Sequence, residues 1–146
     1  MTEHFDIEIP KEKIYSDRAL WTGSFIGGPL VAGYFIAENF KVFNDTPKAN
    51  KTWIIAIIGT IIIFGGVFLI PENVKIPPVV IPLSYTSIAY SAGLYFQKPL
   101  MNKHVENGGV FYSWWRVIGI ALLGLIFTVL PVFAYSVIID LLGHKH

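Results

Sequence analysis

The chain has 146 residues, a formal charge of +1 and a mean hydropathy of +0.56, with 53% apolar and only 14% charged residues, where an ordinary globular domain carries roughly 25% charged residues. This composition excludes a soluble enzyme or a nucleic-acid-binding domain and points to a membrane protein. The absence of cysteine excludes disulfides, thiolate metal centres and a cysteine nucleophile.

The first 17 residues are charged and contain no apolar h-region, so no cleavable signal is expected and the first apolar stretch reads as an uncleaved anchor. Phe5, Ile7 and Ile9 alternate with Asp6 and Glu8, a period-2 pattern able to add a strand to a partner, although a free tail explains it as well. Four stretches then lack any Asp, Glu, Lys, Arg or His: 19–37, 52–70, 79–96 and 117–139, of 19, 19, 18 and 23 residues. At about 1.5 Å per residue each is long enough for a hydrocarbon core of about 30 Å. Exposed backbone polar groups cannot go unpaired in lipid, so the spans are expected to be helices. The expected fold is all-α: a polytopic transmembrane bundle of four helices with short connections over 18–142, between polar tails at 1–17 and 143–146.

Ser16 followed by Asp17 is a helix cap with an acidic first turn. In the first span, Ser24, Gly28 and Ala32 repeat every fourth residue and Gly23 with Gly27 forms a GxxxG beside them, a small-residue helix-packing surface. Proline at Pro29 removes an N–H, so Gly27-Gly28-Pro29 predicts a kink fitted to a neighbouring helix, or a broken helix with freed carbonyls. Asn44 is a candidate stop, and Thr46 with Pro47 a cap and first turn for the second helix. In the third span Ser84, Ser87, Ser91 and Tyr95 form one hydroxyl stripe expected to face the bundle interior, as interhelical glue or as a polar lining.

Residues 99–106 are expected to form a short interfacial helix burying Leu100, Met101 and Val105, with a turn at Asn107-Gly108-Gly109 and a cap at Ser113. His104, Trp114, Trp115 and Arg116 would then form a face for lipid headgroups or a partner loop. In the last span Pro131 frees the carbonyl of Phe127, where Thr128 compensates. The terminal His144 and His146 are two imidazoles where a tetrahedral zinc site needs three or four ligands.

The spans contain no ionisable residue other than tyrosine, the usual mark of proton relays and coupled transport being carboxylate, histidine or arginine. The small multidrug resistance transporters, also short four-helix chains, depend on a glutamate within the first helix, whereas Glu38 lies beyond the first span. No catalytic, phosphate-binding or haem-ligating pattern is found, so no enzyme activity, cofactor or metal is expected. With four crossings, the N-tail, the 71–78 turn and the C-tail share one side and carry five basic residues. Connections 38–51 and 97–116 share the other with six, which leans towards a cytoplasmic location for them.

The run Phe25-Ile26-Gly27-Gly28-Pro29-Leu30-Val31-Ala32-Gly33-Tyr34, with Asn39-Phe40, Gly108-Gly109, Ser113-Trp114 and Arg116, resembles a group of small bacterial integral membrane proteins. The resemblance implies a bacterial inner-membrane location and the span count. The expected function is non-catalytic: association with other membrane helices within the lipid bilayer, as a homo-oligomer or an accessory subunit. The alternatives are a passive channel or uncoupled carrier, and a lipid-binding or lipid-handling protein.

Overall fold

A computed structural model describes residues 12–143, and the alternating pattern of Phe5, Ile7 and Ile9 and the pair His144 and His146 lie outside them. The described residues form five helices: α1 (Asp17–Gly27), α2 (Pro29–Val42), α3 (Thr46–Val67), α4 (Val80–Glu106) and α5 (Trp114–Gly143). Local chemistry sets their ends. Ser16 Oγ accepts the Ala19 N–H at 3.1 Å and caps α1 as expected. The cap of α3 is Asp45, whose carboxylate accepts the Lys48 N–H at 3.1 Å, while Thr46 and Pro47 open the first turn. Asn44, at φ 57°, makes the left-handed turn between α2 and α3. The expected separate helix at 99–106 is instead the end of α4, which runs through Pro99 to Glu106; Met101 is buried, Leu100 half-buried and Val105 exposed.

The first predicted span is not one crossing helix. The chain reverses at Gly28, whose φ of 89° and ψ of −178° fall in a region essentially open only to glycine. The Gly28 N–H closes α1 on the Ser24 carbonyl at 2.9 Å, and its own carbonyl opens α2 by accepting the N–H groups of Val31 at 3.1 Å and Ala32 at 3.3 Å. Pro29 occupies the first helical position, where no donor is needed. α1 and α2 are therefore an antiparallel hairpin. Tyr15, before α1, hydrogen-bonds Asn39 near the end of α2 and stacks on Phe35 at 4.0 Å. Neither the expected kink nor a continuous four-helix bundle describes this geometry. With 11 and 14 residues, the two arms are about 16 and 21 Å long.

The hairpin is the hub of the molecule, since α3, α4 and α5 each pack on it and their backbones do not approach one another. Small residues set these contacts. On α2, Gly33 meets Ala56 of α3; on α1, Gly27 meets α5, where an added Cβ would lie 2.8 Å from the Ala121 carbonyl oxygen; Gly93 of α4 faces Leu20 and Ile36. One end of the bundle, the hairpin mouth, gathers residues 12–16, the 43–45 turn and the 107–113 connection. There Ile14 N–H donates to the Val110 carbonyl at 3.2 Å and Tyr112 N–H to the Ile14 carbonyl at 2.9 Å. Ile14 and Tyr15, placed by the sequence in a polar tail, are among the most buried side chains of the chain. At the far end Phe68 meets Tyr135 with ring centroids 4.8 Å apart. Two helices, α3 and α5, are long and apolar enough to cross a membrane.

Gly28→Ala should cost about 1 to 3 kcal/mol through backbone strain alone. Gly65→Ala, at a helical position with open space around it, should be neutral or slightly stabilising. Equilibrium unfolding in mild detergent distinguishes the two, and equal stabilities would contradict the turn geometry.

Candidate functional site

Two structures at the hairpin mouth and beside it carry the polar and concave features of the chain. The first is a buried hydrogen-bond network. Asn39 treats the backbone of Tyr15 as a strand neighbour would: its Oδ1 accepts the Tyr15 N–H at 2.7 Å and its Nδ2 donates to the Tyr15 carbonyl at 2.9 Å. The same Nδ2 donates to Gln97 Oε1 at 3.3 Å, and Gln97 Nε2 donates to the Ile36 carbonyl at 2.7 Å, tying α4 to α2. Arg116 Nε donates to the Tyr15 hydroxyl at 2.9 Å, and its guanidinium lies 4.4 Å over the Tyr112 ring, which fixes the start of α5. Lys98 Nζ bonds Asp17 Oδ2 at 2.8 Å, joining α4 to the start of α1.

Electrostatics follow this arrangement. Burial pushes the Tyr15 phenol well above its ordinary value, partly offset by the Arg116 hydrogen bond, so it stays protonated and serves Arg116 as an acceptor. The hydrogen bond from Lys98 holds the Asp17 carboxyl below the usual carboxylate range. Among the described residues no three His, Asp or Glu side chains come together as a metal-binding group.

The residues singled out in the sequence are distributed differently. Gly23, Ser24, Gly27 and Ala32 are buried packing residues, but within the hairpin and against α5; Gly28 is the turn and Pro29 the half-buried start of α2. The hydroxyl stripe of α4 does not face inward: Ser84, Ser91 and Tyr95 are exposed and Ser87 is half-buried. The inward face is Thr86, Gly93, Gln97 and Met101. Gly93 lets α4 come close to Leu20 of α1 and Ile36 of α2, and Gln97 Nε2 donates to the Ile36 carbonyl. Thr86 Oγ1 is buried with no hydrogen-bond partner among the described residues. His104, Trp114, Trp115 and Arg116 form no single face. Arg116 turns in to Tyr15 and Tyr34, the His104 ring lies 6.2 Å from Phe43 with its Nε2 buried, and Trp115 is 85% exposed. In α5, Thr128 Oγ1 donates to the Gly124 carbonyl at 2.8 Å rather than serving the Phe127 carbonyl freed by Pro131.

Sequence reasoning did not find Tyr15, Asn39 and Gln97. The available signal was positional: Asn39 and Gln97 are uncharged amides just beyond the ends of two charge-free stretches.

The second structure is a lateral cleft of about 260 Å³ between α3 and α4, floored by α2 and lined by Ala32, Gly33, Ile36, Ile55, Gly59 and Ala92. A further cavity of about 300 Å³ lies beyond the hairpin tip, among Gly28, Tyr85, Thr128 and Phe68. Tyr85 borders both, and its hydroxyl donates to the Phe25 carbonyl at 3.3 Å. Compared with family models, curated proteins and solved structures, the chain matches none.

Asn39→Leu keeps the volume but strands the Tyr15 N–H and carbonyl, each such buried group costing about 1 to 3 kcal/mol; a loss of about 2 to 4 kcal/mol is expected in detergent unfolding. The Asp17 contact is pH-dependent. Because its folded carboxyl lies below the unfolded value of about 3.9, its stabilisation is complete above that value and is lost as pH falls through the folded one. Asp17→Asn should therefore flatten the acid limb of a stability-pH curve below about pH 4, and an unaltered limb would mean that the Lys98 contact does not bear on folding.

Proposed function

We propose that the chain is an integral membrane protein in which α3, α4 and α5 cross the bilayer, the α1–α2 hairpin enters and leaves on one side, and function is exerted without catalysis by association with other membrane helices. The observation that carries this reading is the outward hydroxyl face of α4. Ser84 bonds back to the Val80 carbonyl at 2.7 Å, but neither the exposed Ser91 hydroxyl nor that of Tyr95, 80% exposed, bonds within the described residues. Hydroxyls turned to hydrocarbon are poorly satisfied, and small serines seven residues apart permit close approach of another helix. A solute path through the bundle has no comparable support, since these hydroxyls lie on the outside of the chain.

The hairpin also bears on orientation. It brings Lys13, Arg18, Lys41, Lys48, Lys51, Lys98, Lys103 and Arg116 to the mouth end, against Lys75 alone at the far end among the described residues. By the positive-inside rule the mouth is cytoplasmic, a far stronger preference than four crossings would give.

Both parts are testable, and the lack of native cysteine makes labelling clean. Cysteines replacing Lys13, Lys48 and Lys103 should be modified from one side of sealed membranes and one replacing Lys75 from the other; opposite sides for Lys13 and Lys48 would restore the four-crossing arrangement. Combining Ser91→Leu with Tyr95→Phe should shift the native complex of gently solubilised membranes to smaller size, while Leu123→Ile on the exposed face of α5 should not. Identical migration of all three would remove the association reading.

A further inference from the structure

We propose that the cleft between α3 and α4 seats one acyl chain of an anionic phospholipid from the mouth-side leaflet, with its phosphate held by Lys48, Lys51 and Lys103. This inference rests on the membrane reading above but not on helix association. The cleft opens sideways between two helices that do not approach each other, and Thr52 and Tyr85 are the only residues of its lining with side-chain polar atoms. Its α3 wall runs from Thr52 to Ile63, about 16 Å at 1.5 Å per residue, which matches one leaflet's half of a hydrocarbon core about 30 Å thick.

The lining is apolar apart from Thr52 and Tyr85, which suits hydrocarbon. A single flexible hydrocarbon chain fits between the small floor residues Ala32 and Gly33 and the larger walls Ile55, Ile88 and Phe96.

The headgroup assignment comes from what lies at the cleft's mouth. Phe40 lines the cleft, and the Lys48 ammonium stands 5.7 Å from the centre of its ring, at the rim. Lys51 lies one helical turn before the wall residue Ile55, and Lys103 two turns beyond the wall residue Phe96, so both prolong lined faces into the headgroup zone. Asp45 pairs with Lys48 at 2.7 Å and Glu38 with Lys41 at 2.6 Å, which leaves Lys51 and Lys103 without an acidic partner among the described residues. The rim is therefore cationic where a phosphodiester would sit, and clustered lysines at a membrane surface favour anionic lipid.

The test uses the full chain, equilibrated in vesicles of phosphatidylcholine containing a minor share of phosphatidylglycerol, then extracted in mild detergent and assayed by native mass spectrometry for retained lipid. Wild type should retain phosphatidylglycerol in preference to phosphatidylcholine. Changing Lys48, Lys51 and Lys103 together to Gln should lower that preference about tenfold while leaving phosphatidylcholine retention unchanged. Gly59→Phe, pointing a ring into open space within the cleft, should lower retention of both lipids, whereas Ile61→Phe, outside the lining, should lower neither. No preference in wild type, an unaltered preference in the triple variant, or full retention by Gly59→Phe overturns the proposal. A photoreactive group at Ile88 that captures protein instead of lipid also overturns it. The cysteine labelling above separates the two failures: correct sidedness with unselective retention refutes the lipid site alone, and wrong sidedness refutes the membrane arrangement on which it stands.

Discussion

The backbone reversal at Gly28 is the constraint on which the rest of the structure depends. A residue with a side chain at φ 89° and ψ −178° would carry a strain penalty, so glycine here is what permits residues 17–42 to fold as two short antiparallel helices. Once the chain turns, Phe35 is delivered to Gly23 and to the Tyr15 ring, and the remaining helices find a hub in place of a bundle partner. α5 then closes on α1 so tightly that a Cβ at Gly124 would lie 2.6 Å from the Gly27 carbonyl oxygen. Close backbone approach of this kind supplies the dispersion contacts that hold helices together when lipid removes the hydrophobic drive.

In the membrane arrangement proposed above, the hairpin must account for its own backbone polar groups at the tip and its side-chain polar groups at the mouth. At the tip, Gly28 spans both helices with its N–H and its carbonyl, Pro29 has no N–H to satisfy, and the Tyr85 hydroxyl serves the Phe25 carbonyl. At the mouth, the Asn39 amide completes the backbone of Tyr15, and Gln97 adds a side-chain donor to the Ile36 carbonyl within α2. These amides are uncharged, which avoids the desolvation cost that a buried ion pair would carry. The charges themselves, Asp17 with Lys98 and Arg116 with Tyr15, stay at the partly exposed rim.

Much of the all-α architecture was legible in the sequence because it is written locally. The cap at Ser16, the turn at Asn44, the start at Pro47 and the length of 52–70 and 117–139 correspond to features of the helices found. The hairpin was not legible because its cause is tertiary. Nineteen charge-free residues satisfy the length criterion for a crossing whether they run straight or fold back, and Gly27-Gly28-Pro29 reads equally as a kink. What separates the two is the meeting of Tyr15 with Asn39, 24 residues apart. The hydroxyl stripe failed for a related reason. The rule that polar faces turn inward applies to a complete assembly, and within this chain the inner face of α4 is taken by Gly93 and Gln97, which the hub requires.

The reversal at Gly28 has consequences beyond its own residues. Folding residues 17–42 back moves the basic residues Lys13 and Arg18 from one end to the other, which converts a nearly even charge count into a one-sided one. It also shortens the hub. Because both arms stop at Gly28, the halves of α3, α4 and α5 beyond it have no central element to pack against, and Ile61, Ile62, Leu130 and Phe133 remain uncovered there. The Phe68–Tyr135 ring contact joins the end of α3 to α5 in that region. Few buried contacts mean low local opening energies, so the mouth end, with its amide network and close glycine contacts, holds the fold, while the far half depends on whatever surrounds it. In a bilayer that surrounding is lipid or another helix, and the uncovered apolar length of α5 is matched to either.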